Sequence, residues 1–439
     1  MSRLWERGDP LDRAVLRLTV GRDPELDLRL VPQDCRASAA HAQMLASIGV
    51  LTADEAASLE RELDEIAAEA RAGRFAIALE EEDGHTAIEN RLTRRLGEAG
   101  RKIHTGRSRN DQVIAALRLW GREAVLDQLE GVARVAARLL ERAEEQRETT
   151  MPGYTHTRQA MPTTLGHLLA GWAEGLLDDV PWLDAAWAHL NRSPLGSASG
   201  FGVRLSLDRA AVARELGFAA VQESTGAVQN DRGKSEYLAL AAAAATATDL
   251  GRLAGDLIWW SSDELGFVRL PADLTTGSSI MPQKRNPDVL ELIRAGAARL
   301  RSRQAEVGAI YGPLPGGYHR DLQLTKEPFL EGMQSLIDML RALAPVIERL
   351  EADHRRCREA VLPATRATDA VYRRVARGEA FRDAYRAVAA DPAGSRGDDE
   401  GWRERRHLGA PGALDLAPAH ARLEAVLDSV RERRLSVAG

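Results

Sequence analysis

"SRNDQVIAALRLWGREAVLDQLEGVARVAARLLERAEEQ", residues 108–146, decides the fold. Apolar Val113, Leu117, Trp120, Leu126, Leu129, Val132, Val135 and Leu139 recur mostly at spacings of three and four, which puts them on one stripe of a helix. Ser108 followed by Asp111 makes a capping pair at its start. The same periodicity returns at about 161–190, 231–264 and 287–310. An earlier helix, "TADEAASLERELDEIAAEARAG" (52–73), opens on Thr52 with Glu55 three residues on, and stops at Gly73. Several long helices in mid-chain predict an all-α protein built around a bundle. The expected organisation is an N-terminal helical domain over 1–104, a central long-helix domain over 105–350, and a small helical C-terminal domain over 351–439.

Composition limits what such a bundle can do. The chain has 439 residues, 44% hydrophobic and 28% charged, enough for a large buried core. A formal net charge of −6 speaks against a general binder of nucleic acid or membrane surfaces. Cys35 and Cys357 lie far apart, with neither disulfide-framework nor metal-ligand spacing, and a reducing cytoplasm fits. The N-terminus, "MSRLWERGDPLDR", has no apolar signal core. Asp249, Arg252 and Asp256 interrupt the longest apolar stretch, "LALAAAAATATDLGRLAGDLIWW" (238–260), so it reads as a buried helix and not a membrane span. Trp120, Trp259 and Trp260 sit on apolar helical faces and read as core.

Five loops between the helices are dense in His, Ser, Thr, Asn, Arg and Lys: 83–90, 102–113, 151–162, 275–288 and 312–329. Catalytic groups gather on loops held by rigid scaffolds. The ten histidines include no H-E-x-x-H and no Cys/His cluster, so no metal is expected. Nucleophile-elbow, P-loop and dinucleotide fingerprints are missing too. What remains is an anion-binding site. Arg107, Arg109, Lys284, Arg285, Arg320 and Lys326 supply charge. Ser108, Asn110, Thr155, Ser278, Ser279, Asn286 and Gln323 supply neutral donors, although Ser108 alone reads as a helix cap.

"GSSIMPQKRNPD" (277–288) fits such a site best. Removing a proton beside a carboxylate creates a dianionic intermediate that fixed donors must meet. The Gly-Ser-Ser turn offers N–H groups and a hydroxyl, while Pro282 and Pro287 stiffen the approach to Lys284 and Asn286. Met281 reads as packing.

This stretch resembles the G-S-S-x-M-P-x-K-x-N-P motif of the aspartase/fumarase superfamily. Within it, "HTGRSRNDQV" (104–113), "PGYTH" (152–156), "SPLGS" (193–197) and "YHRDLQLTKE" (318–327) resemble the argininosuccinate lyase and δ-crystallin branch. The likeness runs from Leu4 and Trp5 to "ATDAVYRRVARGEAFRDAY" (367–385). It implies a cytoplasmic homotetramer with a helical core, sites shared between subunits, and cofactor-free cleavage of argininosuccinate into arginine and fumarate. It also implies roles. Ser278 is the loop serine usually assigned to proton abstraction, and His156 is the histidine given either the base or the acid role. Lys284 and Asn286 hold the carboxylate of the carbanion. Asn110, Thr155, Tyr318, Gln323 and Lys326 match substrate-binding positions. Ser108 and Arg109 match a neighbouring contact loop, and His85 and Thr86 a loop close to the site.

Three places depart from the family pattern. "THTRQAMP" (155–162) stands where T-H-L-Q-R-A-Q-P is common, and "DRGK" (231–234) where S-x-R-D is usual. Asp23 is the nearest counterpart of an N-terminal contact serine. A lyase of another succinyl-type substrate and a non-enzymatic, δ-crystallin-like structural protein are the competing readings.

Overall fold

The computed structural model describes residues 12–394 and 400–438. Leu4 and Trp5 lie outside them. The chain is α-helical, with a few short strands paired two by two.

The N-terminal helices Val31–Ser47, Ala53–Arg71 and Gly84–Leu96 share a core of Leu45, Leu59, Leu63, Ile66 and Leu92. Thr52 and Glu55 form the expected capping box, and Asp83 caps the third helix by accepting from the Thr86 N–H at 2.8 Å. Arg109–Glu145 is one continuous helix, opened by the Ser108/Asp111 capping box, and its apolar stripe is buried apart from the partly buried Val113 and Trp120.

The bundle consists of Arg109–Glu145, Lys234–Trp260, Asp288–Tyr311 and Lys326–Glu348, flanked by two shorter helices. Small residues allow close approach. Gly251 lies against Ala297, and Gly308 against Tyr237, so Lys234–Trp260 and Asp288–Tyr311 run antiparallel. Gln128 donates to the Met333 carbonyl at 2.9 Å and Arg138 meets Glu348 at 3.6 Å, so Arg109–Glu145 and Lys326–Glu348 run parallel. Thr325 donates to Glu236 at 3.4 Å, bringing the starts of Lys326–Glu348 and Lys234–Trp260 together. The C-terminal helix Ala417–Ala438 lies along the bundle, with Arg434 bound to Asp127 and Arg433 to Asp184. No helix among the described residues is long and apolar enough to cross a membrane. Both cysteines are buried and free.

The periodicity at 161–190 translates into two helices, Leu165–Asp178 and Val180–Leu190. Pro181 has no N–H to give a preceding turn and so belongs in the first turn of a new helix. Residues before 165 are strand. Thr150–Thr155 and Arg158–Thr164 pair antiparallel into a hairpin where a loop was expected. Two long helices, Lys326–Glu348 and Ala417–Ala438, add to those the periodicity picked out. Trp260 is buried in the main core, with Trp120 and Trp259 against it, as expected.

Candidate active site

The starts of three parallel helices converge on one cleft of about 50 Å³. Arg109, Asn110 and Val113 come from the first turn of Arg109–Glu145. Arg232 precedes Lys234–Trp260, and Gln323 and Lys326 open Lys326–Glu348. Each helix start carries on the order of half a positive elementary charge, so the cleft favours anions before any side chain is counted. Tyr318 and Arg320 line it as well. Asp23, Glu82 and Asp83 also line it, so the cleft presents both signs of charge.

These side chains are held firmly. Arg109 donates to Glu82 at 3.1 Å and to the Thr86 hydroxyl at 2.8 Å, which places the His85–Thr86 segment beside the cleft. Burial pushes Asp83 up, but His85 and Arg109 outweigh it and hold its carboxyl below the ordinary range. His85 Nδ1 lies 2.5 Å from Asp34. Burial opposes charge on this imidazole, yet Asp34, Asp83 and Asp27 raise its pKa. Lys326 is 2% exposed, bonded to Asp27 and 3.0 Å from Asp23. Burial lowers its ammonium, the two carboxylates outweigh this, and the net shift is upward. Arg232 is buried as well, with Nε 2.9 Å from Glu236 and Nη2 donating to the Leu322 carbonyl at 3.1 Å. Gln323 donates to the carbonyls of Thr19 and Val20 at 3.0 and 3.1 Å, and Arg320 to that of Thr19. Ser108 accepts from the Asn110 N–H at 3.3 Å and acts as the cap its position suggested.

Thr155, His156, Ser278, Lys284 and Asn286 occupy the other end of the bundle. His156 sits at the exposed turn of the Thr150–Thr164 hairpin. Tyr154 on that hairpin meets Trp259, in the last turn of Lys234–Trp260, edge-on with ring centroids 4.6 Å apart. The signature loop leads into Asp288–Tyr311, whose start lies beside that same helix end. Thr276 pairs with Asn286 and Gly277 with Arg285, so the loop is a small hairpin that keeps Ser278 and Lys284 within a few residues of its base. Ser278 Oγ accepts from the N–H groups of Ile280 and Met281, at 3.3 and 3.1 Å. Ile280 and Met281 are 82% and 39% exposed, so Met281 does not pack within a single chain. Lys234–Trp260 has 27 residues and spans about 40 Å. One chain therefore does not bring all the expected residues together.

Three charged cleft residues were not singled out as contacts in the sequence. Glu82 and Asp83 belong to a polar run, and their usable signal was the Asp83/Thr86 cap. Arg232 stood out only as a displaced arginine, yet it lines the cleft. Among the described residues, no group of three or more His, Cys, Asp or Glu could hold a metal ion.

The fold is shared with helical proteins of the fumarase type. A structure of EDDS lyase in complex with formate matches with a TM-score of 0.80 at 24% identity, covering 98% of this chain and 94% of that one. Class II fumarase from Schistosoma mansoni matches with a TM-score of 0.74 at 17% identity, covering 90% of this chain and 95% of the other. The lyase family matches residues 19–301. Argininosuccinate lyase of Sorangium cellulosum (strain So ce56) is 46% identical over 424 residues, 96% of this chain and 98% of that protein. Argininosuccinate lyase of Thermotoga neapolitana is 41% identical over 388 residues, 88% of this chain and 98% of its own length. The chain belongs to the argininosuccinate lyase family and is a carbon–nitrogen lyase.

Proposed function

We propose that this protein cleaves argininosuccinate into arginine and fumarate without a cofactor. Near full-length similarity to proteins of that activity carries the reading. The cleft's chemistry supports it. Arg109, Arg232 and the helix starts suit carboxylates, and Asp23, Glu82 and Asp83 suit the cationic end of such a substrate.

In this mechanism a base removes a Cβ proton and leaves a carbanion whose charge spreads into the neighbouring carboxylate. The bond from Cα to the guanidino nitrogen then breaks, with its electron pair and a proton going to arginine. Ser278 or His156 takes the Cβ proton. Lys284 and Asn286 grip the carboxylate as its charge grows. His156 and Ser278 belong to loops beside the far end of Lys234–Trp260, a helix about 40 Å long whose start is at the cleft, so a complete site needs a second chain aligned antiparallel to the first. A homotetramer with closed two-fold symmetries supplies that alignment.

The test is ultraviolet detection of fumarate from argininosuccinate, with aspartate-derived and other succinyl amines as competitors. Release of fumarate from argininosuccinate supports the proposal. Turnover of another succinyl amine alone, or of none, would sink it.

A further inference from the structure

In the hairpin that carries His156, Thr155 pairs with Arg158, so His156 and Thr157 form a two-residue turn. Both have positive φ, 53° and 57°. Turns of this kind are usually built from Asn, Asp or Gly, because a Cβ is repelled there. Threonine, branched at Cβ, is an outlier in that region. Such strain persists only where the surroundings over-determine it, and it clusters at functional sites.

The surroundings here do so. Thr157 Oγ1 donates to the His156 carbonyl at 2.6 Å, closing the strained turn on itself. Two positions on, Gln159 donates to the Ala360 carbonyl at 2.8 Å and accepts from the Leu362 N–H at 3.0 Å. On the other arm, Tyr154 rests against Trp259. Both arms are anchored, and the imidazole projects from the rigid turn between them. A glycine at 157 would turn the chain with less repulsion, but it would let the His156 backbone wander.

We propose that Thr157 is a positioning residue for His156: its left-handed backbone and its hydroxyl bond to the His156 carbonyl fix the direction of the imidazole. This rests on the reading of His156 as the acid or base of the elimination. It accounts for one departure of "THTRQAMP" from the family pattern, the threonine that follows the histidine.

The experiment uses the full-length protein and three variants: Thr157→Gly, Thr157→Ser and His156→Asn. Steady-state kinetics with argininosuccinate are measured beside thermal unfolding. Thr157→Gly relieves the backbone and should unfold no earlier than wild type. Its kcat should fall about ten- to hundredfold, as expected when a reacting group loses its orientation, with KM within about twofold. Thr157→Ser keeps the hydroxyl and should recover most of kcat. Wild-type kcat and pH profile in Thr157→Gly would overturn the proposal. A joint fall of kcat and melting temperature that serine does not rescue would overturn it too, by making the role structural. His156→Asn separates the two layers. An inactive His156→Asn beside a fully active Thr157→Gly removes only the positioning role, whereas a fully active His156→Asn removes the role of His156 itself.

Discussion

Arg118 and Asp231 meet at 2.5 Å with their side chains 1% and 5% exposed. Asp231 also accepts from the Ser235 hydroxyl at 3.0 Å and faces His189 Nε2 at 3.1 Å. This node fixes the segment from which Arg232 enters the cleft. Burial pushes the Asp231 carboxyl up, but the His189 bond and Arg118 outweigh it and hold its pKa at about 2, against 3.8 ordinarily.

Acid stability follows from that shift. A depressed carboxyl stabilises the fold above its unfolded pKa and loses that contribution as pH falls through the folded value. The loss should run from about pH 4 to about pH 2 and amount to about 2 kcal/mol. At neutral pH, Asp231→Ala should cost about 3–5 kcal/mol, because it strands a buried guanidinium. Denaturant melts of both proteins at pH 7 and pH 3 check this. A variant as stable as wild type at pH 7 contradicts it.

Lys326, expected to contact substrate, lines the cleft, and Asp27 and Asp23 engage its ammonium. Lys326→Met should therefore destabilise the fold by about 3–5 kcal/mol, since it leaves the buried Asp27 carboxylate and the partly buried Asp23 carboxylate uncompensated. Thermal unfolding reads the effect. Unchanged stability with a raised KM would make Lys326 a plain substrate clamp.

Ser278→Ala should leave the fold intact and reduce turnover by about 10²–10⁴ or more, the usual worth of positioned proton transfer. Among the described residues the side chain bonds only within its own loop, to the Ile280 and Met281 N–H groups, so little else depends on it. Near-normal turnover would take Ser278 out of the mechanism.

Lys284 and Arg285 are adjacent cations, and both are exposed in the single chain. Arg285 lies in the short ladder opposite Gly277, and Lys284 just before it. If Lys284 meets charge that develops only as the Cβ proton leaves, Lys284→Met should lower kcat much more than it changes KM. Arg285→Met should cost much less. Equal effects in steady-state kinetics would move the carbanion's donors to the Gly277–Ser279 backbone.

The separation of the two half-sites predicts complementation. Asn110→Ala damages the cleft end and Ser278→Ala the loop end, so each alone should be nearly inactive. Co-expressed, they should form mixed assemblies that regain measurable activity, because some sites receive two intact halves. Light scattering on wild type should give a tetramer. A stable, active monomer, or no recovery on mixing, would rule out shared sites.

Much of this was legible locally. The Thr52/Glu55 and Ser108/Asp111 capping boxes are short-range hydrogen bonds written in spacing, and both form as read. The hairpin carrying His156 was not legible. Its turn uses His-Thr where Asn-Gly would announce it, and its arms are set by Trp259, Ala360 and Leu362, which are distant in sequence. The break at Asp179 was signalled by Pro181, but apolar periodicity continues through it. Asp23, Glu82 and Asp83 could not be read as lining one cleft, since no local spacing joins residue 23 to residue 82.

By itself, the sequence determined several of the long helices, the Thr52 and Ser108 capping boxes and the family, because each rests on residues within a few positions of one another. Tertiary structure alone decided which loops share an end. Arg109–Glu145, Lys234–Trp260 and Lys326–Glu348 start together, and the His156 hairpin and the 275–288 loop gather at the opposite end. The direction of a helix in a bundle follows from long-range packing, such as Gly251 on Ala297 and Gln128 on Met333, and these contacts form only once the chain has closed on itself.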